Sequence, residues 1–162
     1  MEVKPISDIK PSLLSKFDCG VEELNIYLKR FAKKNDKLGV GKTYVLLGKA
    51  CALGFYTVSM AQIEFKTLPK PSQGKLPRYP IPAVRIGRLA IDRGSQGQGL
   101  GEFLLMDALH RSLRVSEEIA IFAVIVDAKS NQAKKFYLKY GFIPLEDQEL
   151  SLFLPLSTIG QV

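Results

Sequence analysis

Apolar residues recur along this chain with two different periods, and the switches between them mark out its elements. Leu24, Tyr27, Leu28 and Phe31 fall three or four positions apart, so Glu22–Asn35 is expected to be a helix with one buried stripe. Thr43–Leu47 and Cys51–Met60 flank Gly48-Lys49-Ala50, and aromatic and β-branched residues are frequent in the second run, which predicts two antiparallel strands and a tight turn. Residues 1–20 are expected to be irregular, because Pro5 and Pro11 break any early helix. Glu64–Pro82 holds five of the nine prolines and four basic residues, Lys66, Lys70, Lys75 and Arg78. Proline at that density excludes regular helix or central strand, and a loop so long is usually functional or disordered.

Beyond the loop, Val84–Ile91 reads as a strand. Gly99–Val115 reads as a helix burying Leu100, Leu104, Leu105, Ala108 and Leu109. Ile119–Val126 is nearly all apolar, the pattern of a central strand covered on both faces. Asn131–Tyr140 is expected to be a short helix ended by Gly141 in a left-handed cap, and Ser151–Leu156 a last strand. The order predicts an α/β fold, a mixed sheet with helices packed on it. With 162 residues, no internal repeat and no break in composition, it predicts one domain over residues 1–162.

Composition narrows the function. A net charge of +7 is a statement about partners, and a polyanion is the natural one. No apolar run reaches bilayer length, so no membrane association is expected. Met1-Glu2-Val3-Lys4-Pro5 lacks the basic-then-apolar form of a leader. Cys19 and Cys51 have no metal-ligand spacing and His110 is the single histidine, which argues against zinc or any other metal. Two unpaired thiols without a leader point to a reducing cytoplasm.

The segment with chemistry in it is Gln96-Gly97-Gln98-Gly99-Leu100-Gly101, between a strand and a helix. A chain turning from strand into helix aims free N–H groups one way, and with the helix dipole they make an anion site. Glycine lets a diphosphate approach the backbone, while Gln96 and Gln98 can add neutral donors at the rim. A dinucleotide fingerprint needs a different glycine spacing. Gly39-Val40-Gly41-Lys42-Thr43 looks like the end of a nucleotide P-loop, but Asp36 stands where the first glycine belongs and the segment leads into a strand. A plain glycine-rich turn is the remaining alternative.

Arg88-Leu89-Ala90-Ile91-Asp92, then Gln96-x-x-Gly99-x-Gly101, then Phe136-Tyr137-x-x-x-Gly141-Phe142 resembles the GNAT acetyltransferase superfamily, over roughly residues 84–142. Phe17-Asp18-Cys19-Gly20, Thr43-Tyr44-Val45, Gly54-Phe55-Tyr56 and Pro82-Ala83-Val84 resemble, more narrowly, the GNAT toxins of bacterial toxin–antitoxin pairs. The resemblance implies a GNAT-like mixed sheet splayed at the acyl-CoA site, with helices on both faces. It implies acetyl-CoA as donor and the α-amine of aminoacyl-tRNA as acceptor, so that translation is blocked. It also implies a ribbon-helix-helix antitoxin and a homodimer.

Carried onto this chain, the resemblance places the diphosphate on Gln96, Gly97, Gln98, Gly99, Leu100 and Gly101. It places the pantetheine arm along the backbone of Leu89, Ala90 and Ile91, whose N–H groups polarise the thioester. Tyr137 becomes the general acid that protonates the departing thiolate, with Tyr140 as the nearby alternative. Asn131 is a coenzyme contact, or else Ser130 or Asn131 caps the helix. Lys29, Arg30, Lys33, Lys34 and Lys37 are candidates for tRNA phosphates, alongside the reading of a solvated basic face. Lys42 extends that cluster, and Arg88 is marked either as an acceptor contact or as an ion-pair partner within the sheet. No general base stands out: His110 is expected to be an exposed helical residue, and neither Glu64 nor Asp92 can be placed. An α-amine, with a pKa of about 7.7–8.0 that an adjacent ester lowers further, needs less help than a lysine at about 10.4. A small amine or a protein lysine as acceptor is the alternative, and a noncatalytic coenzyme- or RNA-binding module is a third reading.

Overall fold

The structure is a computed structural model and describes residues 1–159. It comprises two compact units, residues 1–59 with 87–108 and residues 60–86 with the chain from 109 onward.

In the first unit, Glu2–Pro5 (β1), Lys42–Leu47 (β2) and Ala52–Ile63 (β3, whose last residues belong to the second unit) form an antiparallel ladder, with Val3 opposite Leu46 and Tyr44 opposite Tyr56. Strand β1 corrects the expectation that residues 1–20 are irregular. It is four residues long with no fully buried position, too short for a period-2 pattern to register. Its proline sits at its last residue, where a lost ladder donor is tolerated. Pairing is needed to make this strand, and only the fold supplies it.

The predicted helix is present and runs further than expected, through Glu22–Ile26, Tyr27–Phe31 and Ala32–Leu38 (together α1). It stops at Gly39, whose φ of +75° suits a residue without a Cβ. The middle segment is a π-turn, which holds one residue more per turn than an α-helix. That shifts the phase of the buried stripe. Tyr27 and Leu28 are buried as expected, but Phe31 is 47% exposed and Ala32 takes its place in the core. The core around α1 includes Ile6, Ile9, Leu14, Phe17, Val45 and Phe55, with the Phe17 and Phe55 rings edge to face at 5.6 Å.

Ile81–Ile91 (β4) begins three residues before the expected Val84 and pairs in parallel with Ala123–Asp127 (β5), Ala83 opposite Ala123. Ala123, Val124, Ile125 and Val126 are all buried, the central strand anticipated from their apolar run. Ile119 is 56% exposed and outside it. Ile143–Leu145 (β6) and Gln148–Pro155 (β7) complete the second unit, with β7 antiparallel to both β5 and β6. Strand β6 was not expected, since three residues including Pro144 carry no pattern. Leu156, expected to end the last strand, begins the helical turn Leu156–Ile159.

Between β3 and β4, the proline-rich segment is irregular apart from two short turns, Phe65–Thr67 and Lys70–Gln73. The two remaining helices are Leu100–Ser116 (α2) and Asn131–Lys139 (α3). The seven-stranded mixed sheet has the order β1-β2-β3-β4-β5-β7-β6. Strand β4 is eleven residues long and β5 five, so β4 has residues left over for another partner.

The phase shift in α1 is testable by urea unfolding. Leu28→Ala should lower stability by about 2–5 kcal/mol, as for a buried leucine. Phe31→Ala should cost less than about 1 kcal/mol, as for a surface change. Equal losses would contradict the π-turn.

Candidate active site

In the first unit the strand end and the glycine-rich loop are held by a small polar network. Asp92 follows β4, and its N–H donates to the Leu53 carbonyl at 2.8 Å. Its carboxylate accepts the Gly94 N–H at 3.1 Å and the Asp18 N–H at 2.9 Å, while the Arg93 N–H donates back to the Asp18 carbonyl at 2.8 Å. The Asp18 carboxylate in turn accepts from the Gly20 N–H and from the Asn25 Nδ2, both at 2.9 Å. The Asn25 Oδ1 accepts the Cys19 N–H at 2.8 Å. The Gly20 N–H, then the Asn25 amide, hold the Asp18 carboxyl below the usual carboxylate range. Burial pushes the neighbouring Cys19 thiol up.

Gln96 plays a different part from the rim donor expected of it. Its Nε2 donates to the Ile91 carbonyl at 2.9 Å and to the Cys19 carbonyl at 3.2 Å, so both amide hydrogens brace the loop. What remains for an anion is backbone. Gly97 and Gly99 have φ of +80° and +79°, and a Cβ on either would meet nothing within 4 Å, so the loop is open. Gln98 is exposed beside them. The loop runs straight into α2, whose Phe103 N–H makes its first turn with the Gly99 carbonyl at 3.1 Å. The leading N–H groups of a helix have no partner within it. Leu100 is buried and fixes the helix start, and Gly101 is half-buried behind it. A diphosphate fits this cradle of amides.

Leu89 and Ile91 are half-buried and Ala90 is buried. Gly54 of β3 lies so near that a Cβ there would stand 2.9 Å from the Ala90 carbonyl oxygen and 2.7 Å from Ile91 Cδ1. Arg88 stacks its guanidinium on Tyr27, 3.5 Å from the ring centroid, and Asn35 Nδ2 donates to the Tyr27 hydroxyl at 3.3 Å. Among the described residues Arg88 has no carboxylate partner, which does not favour the ion-pair reading.

The basic cluster on α1 is only partly free. Lys29, Arg30, Lys34 and Lys37 are exposed. Lys33 donates to the Ile9 carbonyl, and Lys42 pairs with Asp36 at 3.3 Å. One of the expected phosphate candidates, Lys33, therefore also braces the fold.

Tyr137 and Asn131 belong to the second unit. Tyr137 is buried in α3, its ring 5.2 Å from Phe136 and 5.4 Å from Phe142. Burial, then the charge of Asp127, pushes its phenol up to about 12. The phenol therefore holds its proton at neutral pH. Tyr140 is half-buried and stacks on Phe136 at 5.1 Å. The helix cap is Ser130, whose Oγ accepts the Ala133 N–H at 3.2 Å, leaving Asn131 exposed and uncommitted. Asp127 accepts from Arg85 with one oxygen and from the Ser151 hydroxyl, at 2.8 Å, with the other.

The expected non-participants also have places. His110 is exposed, Glu64 is exposed and pairs with Lys66 at 3.6 Å, and Asp92 is a backbone cap. Reasoning from the sequence missed Asp18, Asn25 and Asp92 as holders of the loop. Phe17-Asp18-Cys19-Gly20 was visible as a motif, but nothing in one dimension joins it to a loop more than seventy residues on. Among the described residues no cluster of three His, Cys, Asp or Glu side chains could hold a metal ion.

The acetyltransferase (GNAT) domain family matches residues 76–151. The tRNA-acetylating toxin of Mycobacterium tuberculosis is 30% identical over 129 residues, 80% of this chain and 77% of its own length. Among solved structures, a tyrosine-to-phenylalanine mutant of KacT has a TM-score of 0.92 and 35% identity, covering 99% of this chain and 97% of that one. AtaT complexed with acetyl-methionyl-tRNAfMet gives 0.91 and 34%, again over 99% and 97%. An AtaT tyrosine-to-phenylalanine mutant bound to acetyl-CoA and to the C-terminus of the antitoxin AtaR gives 0.81 and 29%, over 99% and 96%.

If the Asp18–Asn25–Gln96 network shapes the amide cradle, Asn25→Ala and Gln96→Ala should each weaken coenzyme A binding about tenfold, the scale of one lost buried hydrogen bond. Calorimetric titration reads this directly. Unchanged affinity in both variants would show that the loop holds its shape without the network.

Proposed function

Since the chain belongs to the GNAT acetyltransferases, and among them to the tRNA-acetylating toxins, we propose that it moves the acetyl group of acetyl-CoA to the α-amine of aminoacyl-tRNA and thereby blocks translation. The observation that carries this reading is the likeness over nearly the whole chain to AtaT, a protein solved with an acetylated aminoacyl-tRNA. The local geometry supports it. The Gly97–Gly101 amides receive the diphosphate, and the backbone of Leu89–Ile91, past the β5 ladder, is the stretch that pairs with the pantetheine arm and polarises the thioester carbonyl. Acetyl-CoA supplies an activated acyl carbon and a good leaving group.

The acceptor amine attacks in its neutral form. No strong base is required of the protein, because the amine of an aminoacyl ester is much more readily deprotonated than that of a lysine. The attacking nitrogen must still lose a proton and the departing sulfur gain one. Tyr137 is the group for this relay, giving its phenolic proton to the sulfur and taking one from the nitrogen, so that the phenol is restored. A phenol pushed up to about 12 does not stay ionised between turnovers.

On the acceptor side, the reading gives Lys29, Arg30, Lys34 and Lys37 the phosphates of the tRNA. Arg88, pinned on Tyr27, offers its free edge to the acceptor end. Asn131, exposed at the start of α3, is assigned to the coenzyme. The same reading takes the partner antitoxin to be of the ribbon-helix-helix type and the enzyme to be a cytoplasmic homodimer. Among the described residues no helix is long and apolar enough to cross a membrane.

The deciding experiment is mass analysis of a pool of charged tRNAs incubated with the protein and acetyl-CoA. Aminoacyl groups heavier by one acetyl on the α-amine are expected, with uncharged tRNA unmodified. Product confined to small amines or protein lysines would overturn the assignment.

Tyr137→Phe should lower kcat about 10²–10⁴-fold with coenzyme affinity unchanged. In the wild type, activity should rise from pH 6 to 8 as the amine deprotonates, with no loss from Tyr137 ionisation until the pH nears 12. Because the folded phenol holds its proton more tightly than an ordinary phenol at 10.0, its contribution to stability is intact below pH 10. It is lost as pH climbs towards 12. A variant retaining wild-type kcat would remove Tyr137 from the mechanism.

A further inference from the structure

In the second unit the segment after β3 is tied to the β6–β7 turn, where the Glu146 N–H donates to the Thr67 carbonyl at 2.7 Å. Beside this tie lies a cleft of about 730 Å³, within the size range of small-ligand pockets. Its apolar lining is Ile63, Ile125 and Leu145, which belong to one buried cluster. Its charged lining is Glu64, Lys66, Arg85, Glu146 and Asp147. Lys66 is matched by Glu64, and Arg85 by Asp127. Glu146 and Asp147 have no cationic partner among the described residues.

This is a negative opening on a chain whose net charge is +7. The basic surface draws a polyanion in, but two unmatched carboxylates repel any phosphodiester that approaches the cleft. The part of a charged tRNA that escapes this repulsion is its aminoacyl tip, an uncharged ester carrying an amine with a partly positive character. The cleft is also connected to the chemistry. Asp127, which grips the Arg85 of the cleft wall, is the carboxylate whose charge acts on Tyr137.

We propose that this cleft receives the amino-acid end of the acceptor, with Glu146 and Asp147 admitting neutral and cationic side chains and rejecting acidic ones. The assignment rests on the aminoacyl-tRNA reading above. Ile63, Ile125 and Leu145 give the methylene groups of the side chain an apolar wall, and the carboxylates at the mouth set the sign of charge that enters.

The test compares acetylation of individually charged tRNAs by the wild type and by Glu146→Lys/Asp147→Lys, using acetyl-CoA as donor. The wild type should prefer neutral and cationic aminoacyl groups over aspartyl and glutamyl groups by about tenfold or more in kcat/KM, and the reversed variant should lose or invert that ratio. Coenzyme A affinity should be the same in both, which separates a change in selectivity from general damage. If the double reversal does not fold, Glu146→Gln/Asp147→Asn should move the ratio in the same direction by less. Equal use of acidic and neutral aminoacyl groups by the wild type overturns the proposal. So does an unchanged ratio in a folded variant. An unchanged ratio together with lost binding of a lysine-rich peptide would give the cleft to a cationic polypeptide instead. Absence of product with every charged tRNA would instead mark failure of the underlying reading, and with it this assignment.

Discussion

The glycine-rich loop depends on a carboxylate engaged with backbone amides, that of Asp92. Asp92 caps its own turn through the Gly94 N–H and reaches across to the Asp18 N–H. Asp18 answers with its carbonyl and is itself clamped by Asn25 on α1. Two glycines with positive φ have many conformations open to them, and that freedom is an entropic cost when a loop must present its amides in one direction. The crossed bonds to residues 18–20, with the Gln96 amide bridging two carbonyls, remove the freedom before any ligand arrives. In the proposed reading, the binding energy of a diphosphate would go to affinity and not to ordering the loop.

The two units contribute unlike chemistry. The first offers main-chain donors at the start of a helix and exposed cations on α1. The second offers one buried phenol whose environment is arranged to keep it neutral. Burial disfavours the phenolate, and a carboxylate nearby disfavours it further. That carboxylate is not loose, since Arg85 and Ser151 occupy both of its oxygens. These surroundings keep the Tyr137 phenol neutral, the state that the proposed role of a proton donor requires.

Much of this was legible in one dimension because it rests on local pattern. The strand-to-helix position of Gln96–Gly101, the buried run at Ala123–Val126 and the cap at Gly141 each follow from neighbouring residues. What was not legible depends on contacts distant in sequence. Strand β1 exists because β2 pairs with it, and β6 because β7 does. The role of Gln96 changed because carbonyls from Cys19 and Ile91 sit within its reach, and Lys33 left the phosphate set because the Ile9 carbonyl does. Ser130 against Asn131 as the cap could be stated from sequence only as a choice, and one hydrogen bond settles it.

The π-turn in α1 has a consequence for how this helix can vary. Before it Asn25 bonds Asp18 and Cys19, and at its first position Tyr27 stacks with Arg88; after it, Ala32 keys into the core while Lys34 and Lys37 face solvent. The extra residue decouples the angular setting of the two halves, as a half-twist in a shaft lets its ends mesh with different gears. Substitutions that retune the outer cationic rim can therefore accumulate on the far half without turning the near half out of mesh with the donor loop.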